Sequence, residues 1–372
     1  MANELYTVKG SDLTAIANAI RLKRNVAYGI EVSNMASEIG LISGSGEPDW
    51  SEIGYTDTPQ ALLDDFDYSK EIMRNWTNVA NLSSKFVDDT NLVYMPLVDT
   101  SNATNTASMF SGCINLTTIP LLNTSSVTNM YNMFYSCKLI SIPLLNTSSV
   151  TSMYYMFRNC QKLESIPLLN TSNVTNMYGM FERCYKLTTI PQLNTGNVTN
   201  MYNMFYNCSK LITIPLLNTS NVTNMQGIFE RCYALTTIPQ LDTSKVTTAY
   251  SMFNYCQKLE SIPLLDFSSV TDMRFMFDNM GTNVLTDLGG FKDLGKAYST
   301  TASANAASYE LGMGGLSHLT KQSVLNVFNN LYDIATKGCN TQKIRLSASV
   351  YNQLTQDDLD IAINKGWNIQ RG

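Results

Sequence analysis

Ser111–Cys137 reads SGCINLTTIPLLNTSSVTNMYNMFYSC. Aligned on the cysteines, its pattern L-x-x-I-P-x-L-[ND]-T-x-x-V-T-x-M-x-x-M-F-x-x-C recurs as far as Met280, which stands in the last cysteine's place. Cys113, Cys137, Cys160, Cys184, Cys208, Cys232 and Cys256 follow one another at intervals of 24, 23, 24, 24, 24 and 24 residues. A degenerate copy comes first, with Asp89, Leu92, Met95, Pro96, Met109 and Phe110 at matching places. FERCY occurs at 181–185 and again at 229–233, each time with IPQL, which points to duplication of a two-copy unit. A fixed period of this length settles the architecture, because one copy can bury its apolar side only against its neighbours.

Each copy carries two spacings. Val127, Met130, Phe134 and Cys137 lie at i, i+3, i+7 and i+10, the spacing of one face of a short helix, with Thr124 or Ser125 at its N-cap. Thr118–Leu122 reads as a short extended segment in which Ile119 and Leu122 face inward. Leu121 faces out, since Gln192 and Gln240 replace it in other copies. The proline at 120 removes a ladder donor and keeps the pairing short. The fold class expected is therefore α/β, a leucine-rich-repeat-like solenoid of 23–24-residue strand–helix coils. At a strand spacing of ~4.8 Å, eight coils make a section on the order of 40 Å long. Asn123, Asn146, Asn170, Asn194, Asn218, Asp242 and Asp266 form one polar column. A threonine column runs through Thr128, Thr151, Thr175, Thr199, Thr223, Thr247 and Thr271. Both read as scaffolding that satisfies backbone groups where the coils turn, so the N-x-[ST] triplets within them are by-products of the repeat.

Composition narrows the function. The chain has 372 residues, 44% hydrophobic and 15% charged, with a formal net charge of −5, which argues against a phosphate-neutralising nucleic-acid binder. A single histidine, His318, is too few for most histidine metal sites or triads. One cysteine per period, with no CxxC cluster, reads as buried free thiols in a stacking position and gives no metal or cofactor site. No stretch reaches the ~18 apolar residues of a membrane span, and the first residues lack the pattern of a secretory signal. The expectation is a chain made and kept in a cytoplasm, or released by another route, with no membrane insertion.

The flanks complete the domain reading. Residues 1–42 carry two short amphipathic segments (Leu13, Ile16, Ala17, Ile20, then Val32, Met35, Ile39), too little to form a core alone. They are read as a small helical attachment or oligomerisation module, with a homo-oligomer as the expected state. Residues 43–49 (SGSGEPD) read as linker, 50–85 as the N-terminal cap, 86–280 as the solenoid and 281–372 as an α/β C-terminal cap. In the last of these, 320–338 has a helical face of Val324, Phe328, Leu331 and Ala335 ending at Gly338. Thr355-x-x-Asp358 reads as a capping box, and 344–346 and 367–369 as strands.

The blocks VTNMYNMF and TSNVTNM with periodic cysteine resemble the BspA-type leucine-rich repeats of bacterial surface proteins, over roughly residues 86–280. That resemblance implies an adhesin or interaction scaffold at a bacterial cell surface. SDLTAIANAIRLK, VSNMASEIGLI, DWSEIGYTDTPQ and the C-terminal LTKQSVLNVFNNLYDIATKG resemble segments of phage and prophage tail-fibre and baseplate proteins. This second likeness implies a tail protein of the virion, assembled in the host cytoplasm. Its residues 1–42 would join other tail proteins, and its coils would bind a surface glycan or protein.

A binding face is sought where the coils differ. After the first methionine come Tyr131, Tyr154, Tyr178, Tyr202, Gln226, Tyr250 and Arg274. After the phenylalanine come Tyr135, Arg158, Glu182, Tyr206, Glu230, Asn254 and Asp278. With Tyr155, Tyr185 and Tyr233 these tyrosines form a candidate ligand-binding strip, rigid rings with a directional hydroxyl. The alternative is that each ring packs on its neighbour in the next coil. Catalysis is not expected, since Glu182 and Glu230 lie two coils apart, roughly 10 Å by the strand spacing, at positions the repeat lets vary.

Overall fold

The structure, a computed structural model, describes residues 79–93, 95, 100–280, 284–297, 310–337 and 342–372. The helical module expected at 1–42, the linker at 43–49 and most of the cap at 50–85 lie outside the described residues.

From 105 to 272 each coil joins the next through a parallel bridge at one position, Asn105 to Asn129 to Ser152 to Asn176 to Asn200 to Asn224 to Thr248 to Asp272, and Thr237 bridges Ser261 besides. This register places equivalent residues above one another along the stack. On one side of the bridge Thr128 N–H donates to Thr104 O of the preceding coil. On the other side Asn132, Phe134 and Ser136 donate to Tyr154, Met156 and Arg158 of the following coil. Backbone groups are thus satisfied from coil to coil, as a parallel ladder requires.

The segment expected as a helix in each coil is not one. Between Met130 and Cys137 the local bonds run from i to i−3, Met133 to Met130, Tyr135 to Asn132 and Cys137 to Phe134. Asn132 (φ 54°) and Ser136 (φ 60°) are left-handed. These are successive turns with a positive-φ third residue. A helix would need right-handed residues there and bonds to i−4. Two four-residue turns put Met130, Met133, Phe134 and Cys137 inside at nearly helical intervals, and that spacing was what the sequence offered. The same two positions hold Gly179 (φ 56°) and Gly112 (φ 79°) in other coils, the residue type such backbone favours.

The rest of the coil follows expectation. Ile119 and Leu122 are buried while Leu121 is 50% exposed. The 118–122 segment is extended but barely paired, consistent with its proline. Regular strands β1 (Ser261–Ile262) and β2 (Leu265–Asp266) appear only in the last coil. They pair in parallel with β3 (Asp287–Leu288) and β4 (Phe291–Lys292) respectively. The asparagine column closes local turns, with Asn123 Oδ1 accepting from Ser125 N–H and Oγ. Thr124, next to it, is buried and donates to Asn146 O of the next coil at 2.7 Å.

Two columns run through the core beside the buried leucine, isoleucine, valine and methionine positions. Phenylalanines from Phe86 to Phe277 stack with centroids 5.5–5.9 Å apart. Each such side chain contributes about 1.5–3 kcal/mol by burial. Beside them the seven periodic cysteines are free and buried. Each thiol donates to the phenylalanine carbonyl of the preceding coil, as Cys137 does to Phe110 O at 3.1 Å. Burial pushes the Cys113 and Cys160 thiols up to about 12.

At the C-terminal end β5 (Glu310–Met313), β6 (Gln342–Leu346) and β7 (Trp367–Arg371) form a parallel sheet in that order. Helix α1 (Lys321–Asn329), capped by Thr320, is shorter than the expected 320–338. The chain leaves the helix at Asn330 so that Leu331 can bridge Leu294. The Ser323 hydroxyl ties α1 to the last coil, donating to Thr286 O and accepting from Leu288 N–H. After α2 (Ala348–Tyr351), Thr355 and Asp358 make the expected capping box opening α3 (Gln356–Ile363). Asp358 also pairs with Lys321 at 2.5 Å.

Candidate functional site: the turn face

Because the bridges align residues 176, 200, 224 and 248, the residues two further on share one column at the outer edge of the turns. Tyr131, Tyr154, Tyr178 and Tyr202 stack along it, with successive centroids 5.0, 4.7 and 4.4 Å apart. Tyr155 sits beside the stack, 4.3 Å from Tyr154 and edge-on to Tyr178 at 4.9 Å. The packing alternative therefore describes this part of the column, where ring faces are spent on one another. Desolvation raises the hydroxyls of Tyr154, Tyr155 and Tyr202 above the ordinary phenol value.

Tyr202 ends the run. Gln226 follows it, then Tyr250, whose other neighbours are Phe275 edge-on at 5.4 Å and the Arg274 guanidinium 5.4 Å from its ring centre. At this break the surface sinks into a depression of about 430 Å³ that includes Glu182, Tyr202, Tyr206, Gln226, Glu230 and Tyr250 in its walls.

Of the other tyrosines, Tyr135 lies beneath Arg158 at 5.5 Å. Tyr185 is half-buried past the cysteine corner, and Tyr233 lies 6.1 Å from Tyr255 and 3.4 Å from Arg231. The ten candidates thus separate into a packed stack of five (131, 154, 155, 178, 202), one ring under an arginine (135), two at the cysteine corner (185, 233) and two that join Tyr202 at the depression (206, 250).

Charged residues hold the floor. Glu182 is 3% exposed. Its Oε1 lies 2.9 Å from Arg158 Nε, out of hydrogen-bond alignment, and 3.8 Å from Arg183 Nε. Its Oε2 is buried without a hydrogen-bond partner. Arg158 also covers the Tyr155 ring at 4.4 Å. Glu230, beside Arg231 at 3.8 Å, has its carboxyl raised by desolvation, which outweighs the lowering effect of that arginine. Ser251 and Phe275 also line the depression and escaped the sequence reading. Their positions are the left-handed third residues of the first turn, a signal hidden while the segment was read as helix. Among the described residues no group of three or more His, Cys, Asp or Glu is placed to hold a metal ion.

The opposite side carries a second feature. Leu144, Leu168 and Leu216 are 60–63% exposed along the extended segments. A groove of about 840 Å³ runs between that row and the Asn/Asp column, from Gln192 to Lys292. The glutamines donate across coils to Leu216 O and Leu264 O, so they serve the stacking.

Stacked coils, buried invariant columns and outward positions of changing chemistry define a repeat solenoid built from paired left-handed turns. The sequence profile of DUF285, described as a Mycoplasma protein of unknown function, matches residues 63–162, 140–234 and 188–291. Together these matches run from 63 to 291 without a gap, more than half the chain, and the chain belongs to this family. Solved structures similar to it include a leucine rich cell surface protein from Faecalibacterium prausnitzii, at 17% identity over 73% of this chain and 77% of that one, with a TM-score of 0.30. A leucine-rich repeat protein from Eubacterium ventriosum overlaps at 16% identity, over 68% and 82% of the two chains, with a TM-score of 0.31. The leucine rich repeat protein of T. pallidum gives 18%, 45% and 76%, and a TM-score of 0.23. Superpositions this partial carry no argument about activity. No curated protein gives a significant match.

Proposed function

We propose that the chain is a non-enzymatic recognition module of a bacterial cell surface, an adhesin or interaction scaffold of the BspA type, with its ligand contacts on the turn face. One observation carries the reading. The inward columns repeat from coil to coil, while the outward turn positions change between tyrosine, glutamine, arginine, glutamate and asparagine and enclose a depression at 182–275. A scaffold held constant with variable side chains displayed on it suits binding, and aromatic and arginine side chains are effective anchors.

The comparisons lend no support to a tail protein of the virion. The family match runs through the repeats, from 63 to 291, and the cell-surface reading is the one put forward. The test is binding of the purified protein to intact bacterial cells and isolated envelopes. A Tyr202→Ser/Tyr206→Ser variant is compared with a Leu168→Ser/Leu216→Ser variant on the other side. Selective binding weakened only in the tyrosine variant supports the reading. Weakening only in the leucine variant moves the site to the groove, and absence of binding to every surface contradicts a recognition role.

A further inference from the structure

Within the turn-face reading, on which this inference rests, the break in the tyrosine column has a definite shape. Tyr202 has one face against Tyr178 and looks with the other across Gln226 toward Tyr250. Two coil steps separate these rings, about 10 Å at the parallel-strand spacing. A pyranose chair held between two aromatic faces needs about 8 Å, two carbon contacts of ~4 Å each. The interval holds one ring if the flexible Gln226 side chain turns aside, and Gln226 then offers an amide at the ring's edge.

The wall below the gap supplies an unmet polar demand. Glu182, whose Oε2 is buried and has no hydrogen-bond partner, is among the residues lining the depression. A buried carboxylate oxygen left unmatched is costly, and a ligand donor removes that cost. Asn254, 8% exposed, and the half-buried Glu230 line the same depression.

Charge narrows the ligand. Glu182 is neutralised by Arg158 and Arg183, and Glu230 by Arg231. No excess negative charge remains to attract a cation, and the Glu182 and Glu230 side chains leave carboxylate oxygens at the depression as acceptors for hydroxyl donors. A neutral ring with faces to stack and several hydroxyls at its edge satisfies each demand. We infer that the depression between Tyr202 and Tyr250 is a subsite for a single neutral pyranose. The sugar stacks on the Tyr202 and Tyr250 faces and donates hydroxyls to Glu182 and Glu230.

The probe is a panel of methyl pyranosides of neutral hexoses and N-acetylhexosamines, with tetramethylammonium as a cationic control. It is applied to the full chain and followed by saturation transfer from the protein's aromatic protons. Gln226→Tyr completes the column with the residue it carries in the neighbouring coils, so it is expected to fold and to fill the gap. Glu182→Gln keeps the shape but removes the strong acceptor. At least one pyranoside should show transfer in the wild type, weakened tenfold or more by Gln226→Tyr and measurably by Glu182→Gln. Leu168→Ser should leave it unchanged. Transfer to no pyranoside, transfer unaffected by Gln226→Tyr, or transfer to tetramethylammonium alone would overturn the assignment. If Gln226→Tyr protein still binds cells as the wild type does, the subsite is wrong while the recognition role stands.

Discussion

The thiols and the left-handed residues are where single side chains have measurable consequences. In an unfolded chain a cysteine ionises near 8.5 as an approximate reference, whereas burial holds Cys113 and Cys160 protonated to about 12. Protons are therefore bound more tightly in the folded state. The stabilisation is complete below the unfolded value and is lost as pH rises from it toward the folded one, by about 1.4 kcal/mol per pH unit for each thiol. Urea midpoints should be level near neutrality and drop steeply between pH 9 and 11, and an unchanged midpoint at pH 10.5 would contradict this. The same burial predicts that the seven column thiols resist maleimide at pH 7.5 and react once the protein is unfolded, as mass spectrometry will read. Gly179 tests the turn geometry. A Cβ there would lie 2.2 Å from the Tyr155 ring at φ +56°. Gly179→Ala should cost at least about 1–2 kcal/mol from the left-handed backbone alone, with the ring displaced in addition. A loss in denaturant stability under half of that would show the turn to be otherwise built.

Within a coil, the threonines after the asparagine column separate stacking from mere burial. Thr171 donates to Asn194 O at 2.7 Å, whereas the buried Thr219 hydroxyl has no partner. Thr171→Val should therefore lose about 1 kcal/mol, and Thr219→Val should be neutral or stabilising. Equal losses in the two variants, measured by urea unfolding, would contradict the inter-coil bonding. The element scale is also where the sequence misled. Buried Ile119, exposed Leu121 and the capping box at Thr355 were readable, because substitution patterns and cap chemistry report burial and helix starts directly. The turns were not, since two four-residue turns mimic helical spacing. Gly112, Gly179 and Gly227 were the contrary signal, standing at one or other third turn position, where a helix former would be favoured.

At the scale of the molecule the repeat period, the free thiols and the face on which the coils differ could all be read from the chain. The organisation of that face could not. Whether a tyrosine offers its face or spends it on a neighbour depends on inter-coil spacing and on the residue one period away. The stack at 131–202 and the gap at Gln226 therefore emerge only in three dimensions. The Arg158–Glu182 contact is of the same kind, joining residues a full period apart.

The most direct test of the turn face as the recognition surface is hydrogen exchange on the intact protein, with and without a saturating bacterial envelope preparation to which it binds. Protection concentrated in the turn segments between residues 178 and 255 is the predicted result. Protection confined to the extended segments around Leu168 and Leu216, or to residues 310–372, would contradict it.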